Sequence, residues 1–176
     1  MVSKKKLNIS SSELNTIKPI TDNQKEVFAS YEKGQNLFLY GVAGTGKTFV
    51  ALYNALKDVL DPKSPRERVY IVRSLLPTRD IGFLPGDEED KSYLYQVPYQ
   101  NMVRFMFQRG SDAEFDRLYT DLRNQGTIDF LSTSFLRGIT IDNGVIIVDE
   151  CQNLNFHELD TIMTRVGQNT RIVFAG

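Results

Sequence analysis

Five short runs of apolar residues recur along the chain, and polar or turn-forming residues separate them. The runs occupy residues 37–40, 69–72, 128–131, 145–148 and 171–175. Their length and their content of Val, Ile, Leu and Phe predict β-strands. The run at 145–148, Val-Ile-Ile-Val, is continuous rather than alternating. A continuous run is typical of a strand covered on both faces.

Segments with a helical pattern lie between these predicted strands. They occupy residues 22–31, 49–60, 101–108, 112–124 and 155–166. Thr21 or Asp22 is a candidate N-cap for the first helix and Asn155 for the last, because such side chains accept bonds from free N–H groups. Residues 75–100 carry few regular signals besides a tight loop at 82–87. Strands that alternate with helices predict an α/β fold, with a mostly parallel sheet and helices on both faces.

The composition is that of one globular domain. The chain has 176 residues, of which 41% are hydrophobic and 24% charged, and its formal net charge of −1 gives no global attraction to nucleic acid. Residues 1–15 predict a flexible tail, which leaves 16–176 as a single domain. No apolar run reaches the ~18 residues of a membrane-spanning helix, and no secretory signal is evident. With Cys151 as the one cysteine, an internal disulfide is excluded, and we expect a cytoplasmic protein without membrane contact.

A glycine-rich segment fits the P-loop pattern G-x-x-x-x-G-K-[ST] at every fixed position. Its residues are Gly41, Val42, Ala43, Gly44, Thr45, Gly46, Lys47 and Thr48. Backbone N–H groups of such a loop and the following helix N-terminus surround a phosphate chain. Lys47 adds a positive charge for the outer phosphates, and Thr48 adds a hydroxyl for Mg²⁺. The flanking strand and helix disfavour a chance match, so the predicted ligand is a nucleoside triphosphate.

An acidic pair, Asp149 and Glu150, follows the continuous run at 145–148. A carboxylate at the tip of a buried strand is costly without a partner or a role. Asp149 is placed to hold Mg²⁺ opposite Thr48, and Glu150 to activate a water against the γ-phosphate. An acidic turn is the alternative when the pair is considered alone. In a parallel sheet the P-loop, Arg73 and Asp149 all reach the carboxyl edge, where ligands bind.

Several polar and aromatic side chains are open to two interpretations. Gln152 is the first of these. In one interpretation it forms a hydrogen bond to the attacking water or to the γ-phosphate, and in the other it is an ordinary surface amide. Gln24 has an amide suited to the adenine edge, although by spacing alone it is an ordinary helix residue. A group of aromatic residues comprises Tyr93, Tyr95, Tyr99, Phe105 and Phe107. Such a group either stacks on bases or packs in the core, and core packing is the more common.

The whole chain resembles the PhoH-like ATPases, a family of RecA-like P-loop proteins related to superfamily 1 helicases. The matching segments are Asp-Asn-Gln at 22–24, the P-loop, Gly-Phe-Leu-Pro-Gly-Asp at 82–87 with Lys91, Arg137-Gly138, Asp-Glu-Cys-Gln-Asn at 149–153, His157-Glu158-Leu159, Thr-Arg-Val-Gly at 164–167, and 172–176. The loop at 82–87 together with Asp-Glu-x-Gln-Asn makes the match specific. The resemblance implies a three-layer RecA-like fold.

The resemblance also implies roles for single residues. Gln24 recognises adenine; Lys47 and Thr48 bind phosphate and Mg²⁺; Asp149 and Glu150 form the metal-binding and water-activating pair; and Gln152 couples the site to nucleotide state. Arg73 and Arg137 match family positions without a fixed role, and a structural ion pair is the alternative for each. The family further implies work on single-stranded RNA by a homo-oligomer in a hexameric ring.

The family's last strand here is usually followed by Asp and, a few residues later, by Gln, whereas this chain stops at Gly176. We therefore expect an N-terminal portion of a longer protein, in which nucleotide binding is better supported than full turnover. The leading hypothesis is Mg-dependent ATP hydrolysis with Glu150 as the base. A nucleotide-gated binding or assembly module with little turnover is the alternative, and a P-loop small-molecule kinase is a third hypothesis.

Overall fold

Five strands form one parallel sheet in the computed structural model. The structure describes residues 9–73, 88–133 and 135–176, and for residues 88–94 it describes the backbone alone. The strands are β1 Leu37–Leu39, β2 Arg68–Arg73, β3 Ile128–Leu131, β4 Gly144–Asp149 and β5 Arg171–Ala175. Their order across the sheet is β1-β5-β4-β2-β3, and every neighbouring pair is parallel. The predicted strands are confirmed within one residue at each end.

The helices are α1 Asp22–Glu32, α2 Lys47–Val59, α3 Glu88–Phe107, α4 Asp112–Asn124 and α5 Phe156–Met163. Side-chain caps fix several of their starts. Thr21 Oγ1 accepts a hydrogen bond from the Gln24 N–H at the start of α1. Asn155 and Glu158 form a reciprocal capping box at the start of α5. Both capping predictions are confirmed, because these oxygens satisfy N–H groups that have no partner within the helix.

Helix α3 begins 13 residues before the helix predicted at 101–108, so the expectation of few regular elements over 75–100 was wrong for residues 88–100. Pro98 inside the helix and a weak apolar pattern conceal it in the sequence. Buried residues Tyr99, Val103, Met106 and Phe107 follow helical spacing and pack into the core. That tertiary packing stabilises the helix despite its proline. The loop predicted at 82–87 lies outside the described residues.

Residues 9–15 differ from the predicted flexible tail. Ile9 and Leu14 are 6% and 9% exposed and belong to the main core. The Asn15 N–H donates to the Met106 carbonyl (2.8 Å), and Glu13 pairs with Arg109 at 2.6 Å. This segment is therefore packed on the domain, because two apolar residues that the polar composition conceals are buried there.

Helices cover both faces of the sheet. Val145 and Ile147 of β4 face the core shared with α2, α3 and α4, whereas Ile146 and Val148 face a second core with Ile162 of α5. Every residue of β4 is buried. The three-layer arrangement is confirmed, and so is the prediction that the run at 145–148 forms a strand covered on both faces.

A cluster of polar groups around Asp58 holds the end of α2 that is remote from the P-loop. Asp58 Oδ1 accepts from Ser64 Oγ (2.6 Å), and Oδ2 accepts from Arg66 Nε (2.6 Å) and the Tyr31 hydroxyl (3.0 Å). Arg171, at the start of β5, lies 3.6 Å from Oδ2. Burial opposes ionisation, yet the bonds from Arg66 and Ser64 hold the pKa of the Asp58 carboxyl below its usual value.

The Asp58→Asn variant is expected to lose about 3 kcal/mol of unfolding free energy at pH 7, because it leaves partly buried cations without their anion. Urea unfolding of both proteins measures the difference. A lowered folded pKa stabilises the protein above the ordinary value of 3.8, and that contribution is lost as the pH falls through the folded pKa. The difference should therefore shrink in that acidic range. Asp116→Asn is the control and should cost little, because the Asp116 side chain is 61% exposed.

Candidate functional site

The P-loop joins β1 to α2 at the carboxyl edge of the sheet. Gly44 and Gly46 have φ angles of 78° and 81°, in the left-handed region that favours glycine. Gly46 is the N-cap of α2, so the free N–H groups of the first turn of α2 border the loop. The Gly41 N–H donates to the carbonyl of Gly176 (3.2 Å), which attaches the loop to the end of β5. Loop amides and the helix N-terminus together favour an anion.

Lys47 places its charge within the curve of this loop. Its Nζ donates to the carbonyls of Gly41 (2.8 Å) and Val42 (3.0 Å). Thr45 Oγ1 donates to the same Val42 carbonyl at 2.9 Å, which closes the turn. The loop thus combines oriented backbone dipoles with one ammonium group, the charge pattern that phosphate binding requires.

Thr48 and Asp149 meet although they are 101 residues apart in the sequence. Thr48 Oγ1 donates to Asp149 Oδ1 at 2.6 Å. Asp149 is the last residue of β4 and only 7% exposed. A hydroxyl and a carboxylate are hard oxygen donors of the kind that Mg²⁺ prefers. Over the described part of the chain no group of three or more His, Cys, Asp or Glu residues could hold a metal. The pair fits Mg²⁺ bound by few protein ligands together with phosphates and water.

Glu150 occupies an uncommon backbone conformation directly after Asp149. Its φ and ψ of 50° and 42° are left-handed, and the chain then enters a short 3₁₀ turn, Cys151–Asn153. Its carboxylate accepts a hydrogen bond from Gln152 Nε2 at 2.5 Å. A non-glycine residue in this region is strained, and such residues cluster at functional sites. The structure thus brings Glu150 and Gln152 into direct contact beside the Thr48–Asp149 pair.

Gln24 lies against the P-loop. Its Oε1 accepts from the Ile20 N–H (2.9 Å), and its Nε2 donates to the Thr45 carbonyl at 3.5 Å. Helix α1 therefore presents this amide to the nucleotide loop 21 residues further along the chain. Spacing within α1 does not reveal this proximity, because it depends on how α1 packs on α2.

The two candidate arginines separate in space. Arg73 ends β2 in register with Asp149, and its guanidinium lies 5.9 Å from the Tyr95 ring centre. Arg137 lines a cavity of about 330 Å³ with His157 and other polar side chains. Arg73 therefore lies at the sheet edge that carries Asp149, whereas Arg137 lines a cavity whose lining includes neither of these two residues. Cys151 is a small buried thiol, and burial raises its pKa.

Sequence reasoning missed the part that Tyr99 plays in this site. Its hydroxyl donates to Asp149 Oδ2 at 2.5 Å, and the residue is 2% exposed. Burial, followed by the negative charge of Asp149, raises the pKa of this phenol well above its ordinary value. Phe107 of the same aromatic group is buried too, whereas Phe105 is 67% exposed. No local signal distinguishes Tyr99, because the contact requires α3 to cross the end of β4.

The fold is a parallel sheet with helices on both faces and a P-loop after its first strand. This combination defines a RecA-like P-loop protein of the ATPase type. Residues 16–176 match a family model described as PhoH-like protein. The chain belongs to this family, as its motifs led us to expect.

Curated relatives support the same assignment. Protein PhoH2 of Bacillus subtilis (strain 168) is 35% identical over 139 residues, covering 78% of this chain and 30% of the relative. The PhoH-like protein of Mycobacterium leprae (strain TN) is 30% identical over 162 residues, covering 92% and 44%. Protein PhoH of Escherichia coli (strain K12) is 29% identical over 154 residues, covering 87% and 42%. This chain thus spans less than half of these relatives.

Among solved structures, the Sulfolobus solfataricus SWI2/SNF2 ATPase core in complex with dsDNA superposes with a TM-score of 0.54. The sequence identity is 14%, and the match covers 90% of this chain and 32% of that one. At this identity the likeness supports the fold alone. In the part of the chain that the structure describes, no helix combines the length and apolarity needed to cross a membrane.

Proposed function

We propose that this chain binds Mg·ATP at the P-loop and hydrolyses the bond between the β- and γ-phosphates. The contact between Thr48 and Asp149 is the observation that carries the proposal. It joins the phosphate loop to the acidic end of β4 through two oxygens suited to Mg²⁺. Membership of a family of P-loop ATPase-type proteins gives the same direction.

The residues divide the chemistry among them. Lys47 and the loop amides bind the phosphate oxygens and neutralise charge that develops on them. Thr48 and Asp149 hold Mg²⁺, which supplies further charge neutralisation when bound. Glu150 accepts a proton from a water whose oxygen forms a bond to the γ-phosphorus, while the bridging oxygen leaves with ADP. Positioning and electrostatics account for most of the rate in this class of reaction.

Two glutamines complete the proposed site. Gln24, held between Ile20 and Thr45, is oriented toward the loop and recognises adenine in this proposal. Gln152 contacts the Glu150 carboxylate directly. When ATP is bound, the Gln152 amide would instead contact the attacking water or the γ-phosphate. The conformation of the 3₁₀ turn Cys151–Asn153 would then depend on which nucleotide is bound. Gln152 is therefore proposed as the coupling residue.

We further propose that the protein acts on single-stranded RNA and assembles as a homo-oligomer, a hexameric ring. The support for this is family resemblance, together with a polar cavity at the carboxyl side of the sheet lined by Arg137 and His157. Phe135 (76% exposed) and Phe156 (78% exposed) lie within two residues of Arg137 and His157 in the sequence, and Phe156 begins α5. Aromatic rings and a cation are the groups that bind single strands.

Phosphate release from ATP, measured with MgCl₂ or with EDTA and with or without single-stranded RNA, tests the proposal. We expect release with Mg²⁺ alone, loss in EDTA, and a several-fold increase with RNA that weakens as salt rises. Double-stranded DNA of the same length is the control polymer. Release that persists in EDTA would contradict the metal site, and a rate insensitive to RNA would remove the RNA part only.

A nucleotide-gated assembly module with little turnover is a second candidate. The observation that favours it is the bond from Gln152 to Glu150, which occupies the carboxylate proposed as the base. On this hypothesis ATP changes the sedimentation coefficient of the protein while phosphate release stays near background. Measuring both quantities on one sample separates the two functions.

A further inference from the structure

We propose that Tyr99 is a positioning residue for the metal-binding carboxylate of Asp149, an inference that rests on the proposed function. The two oxygens of this carboxylate have different partners. Oδ1 accepts from Thr48 Oγ1 at 2.6 Å, and Oδ2 accepts from the Tyr99 hydroxyl at 2.5 Å. The tyrosine thus holds the oxygen that faces away from the P-loop and leaves the other directed at Thr48.

The carboxylate depends on these hydroxyls to an unusual degree. Asp149 is 7% exposed, and among the described residues no Lys or Arg nitrogen forms an ion pair with it. A buried carboxylate without a cation is costly unless its oxygens accept hydrogen bonds. In the proposed function Thr48 Oγ1 binds the metal through a lone pair, and its O–H can still donate to Asp149 Oδ1. For the other carboxylate oxygen, Oδ2, Tyr99 is the described side-chain donor.

The position of the Tyr99 hydroxyl is itself fixed by packing. The residue is 2% exposed, and its ring meets Phe130 of β3 edge-on with centres 5.4 Å apart. A tyrosine side chain has two rotatable bonds, so a packed ring leaves its hydroxyl little freedom. Groups that orient a metal ligand in this way tune metal affinity, and their loss commonly costs about 10- to 100-fold.

A second buried tyrosine provides a matched control for general packing effects. Tyr31 is 4% exposed, and its hydroxyl donates to the Asp58 carboxylate at 3.0 Å. Asp58 lies near the end of α2 opposite to the P-loop. Tyr31→Phe and Tyr99→Phe therefore remove the same kind of bond, but only the second affects Asp149.

Calorimetric titration of ATP in MgCl₂ and in EDTA measures how much Mg²⁺ increases nucleotide affinity. In Tyr99→Phe we expect this increase to fall about 10-fold relative to the unmodified chain, with affinity in EDTA unchanged. Tyr31→Phe should retain the full increase. Within an Asp149→Asn background, Tyr99→Phe should have no further effect, because its action passes through the carboxylate. An undiminished increase in Tyr99→Phe, or an equal fall in Tyr31→Phe, overturns the inference.

Two further readouts keep this inference separate from the proposed function. Phosphate release by the unmodified chain reports on hydrolysis alone, so its absence contradicts hydrolysis while the Mg²⁺ effect on binding still tests Tyr99. If Tyr99→Phe shows no cooperative thermal unfolding, Phe130→Leu takes its place, since it keeps the hydroxyl and weakens its support. A smaller fall in the Mg²⁺ effect is then expected, and no fall overturns the inference.

Discussion

Glu150→Gln is expected to bind ATP with unchanged affinity but to release phosphate at least about 100-fold more slowly. A positioned general base contributes about 10²- to 10⁴-fold to such a step, and an amide cannot accept the proton of the attacking water. The substitution preserves the shape of the side chain. Phosphate release under saturating Mg·ATP, together with calorimetric ATP affinity, measures both parts of the prediction.

The control for this variant is Glu114→Gln on α4. Glu114 accepts a bond from the Gly110 N–H in an exposed turn, a bond that an amide oxygen also accepts. We expect its rate and affinity to match those of the unmodified chain. If Glu150→Gln retains full phosphate release, Glu150 is not the base. If Glu150→Gln loses ATP affinity as well as phosphate release, the role of Glu150 is to hold the P-loop rather than to activate water.

Features encoded by neighbouring residues were predictable from the sequence. The continuous run at 145–148 indicated a strand buried on both faces, and β4 is buried at every position. The P-loop pattern and its flanking elements indicated the link between β1 and α2. Because all strands are parallel, their carboxyl ends share one edge, and the proximity of Thr48 to Asp149 follows from that topology.

Features that depend on packing between distant segments were not predictable in the same way. Pro98 suggests an interruption, and only the burial of Tyr99, Val103 and Met106 explains why α3 continues through it. The contact of Tyr99 with Asp149 joins residues 50 positions apart. Likewise, the Gln24 amide meets Thr45 because α1 packs on α2. These contacts are set by tertiary packing, which local periodicity does not encode.

The alanine variant of Lys47 should bind ATP about 100-fold more weakly, with little change in unfolding free energy. A hydrogen bond to a charged group contributes about 1.5–3 kcal/mol, and this ammonium lies within the phosphate loop. Its present partners, the Gly41 and Val42 carbonyls, border an exposed loop where water replaces the lost donor. Calorimetric titration of ATP with MgCl₂ measures the affinity, and urea unfolding measures the stability.

Lys57→Ala, in the same helix, separates this local effect from a general loss of positive charge. Lys57 Nζ pairs with Glu32 at 3.5 Å, and its side chain is 52% exposed. An exposed pair of this kind contributes little to stability, and it lies near the opposite end of α2. We therefore expect ATP affinity to be unchanged in Lys57→Ala. Equal affinity in the Lys47 and Lys57 variants would contradict phosphate binding by the loop, because long-range charge acts on both positions whereas direct contact acts on one.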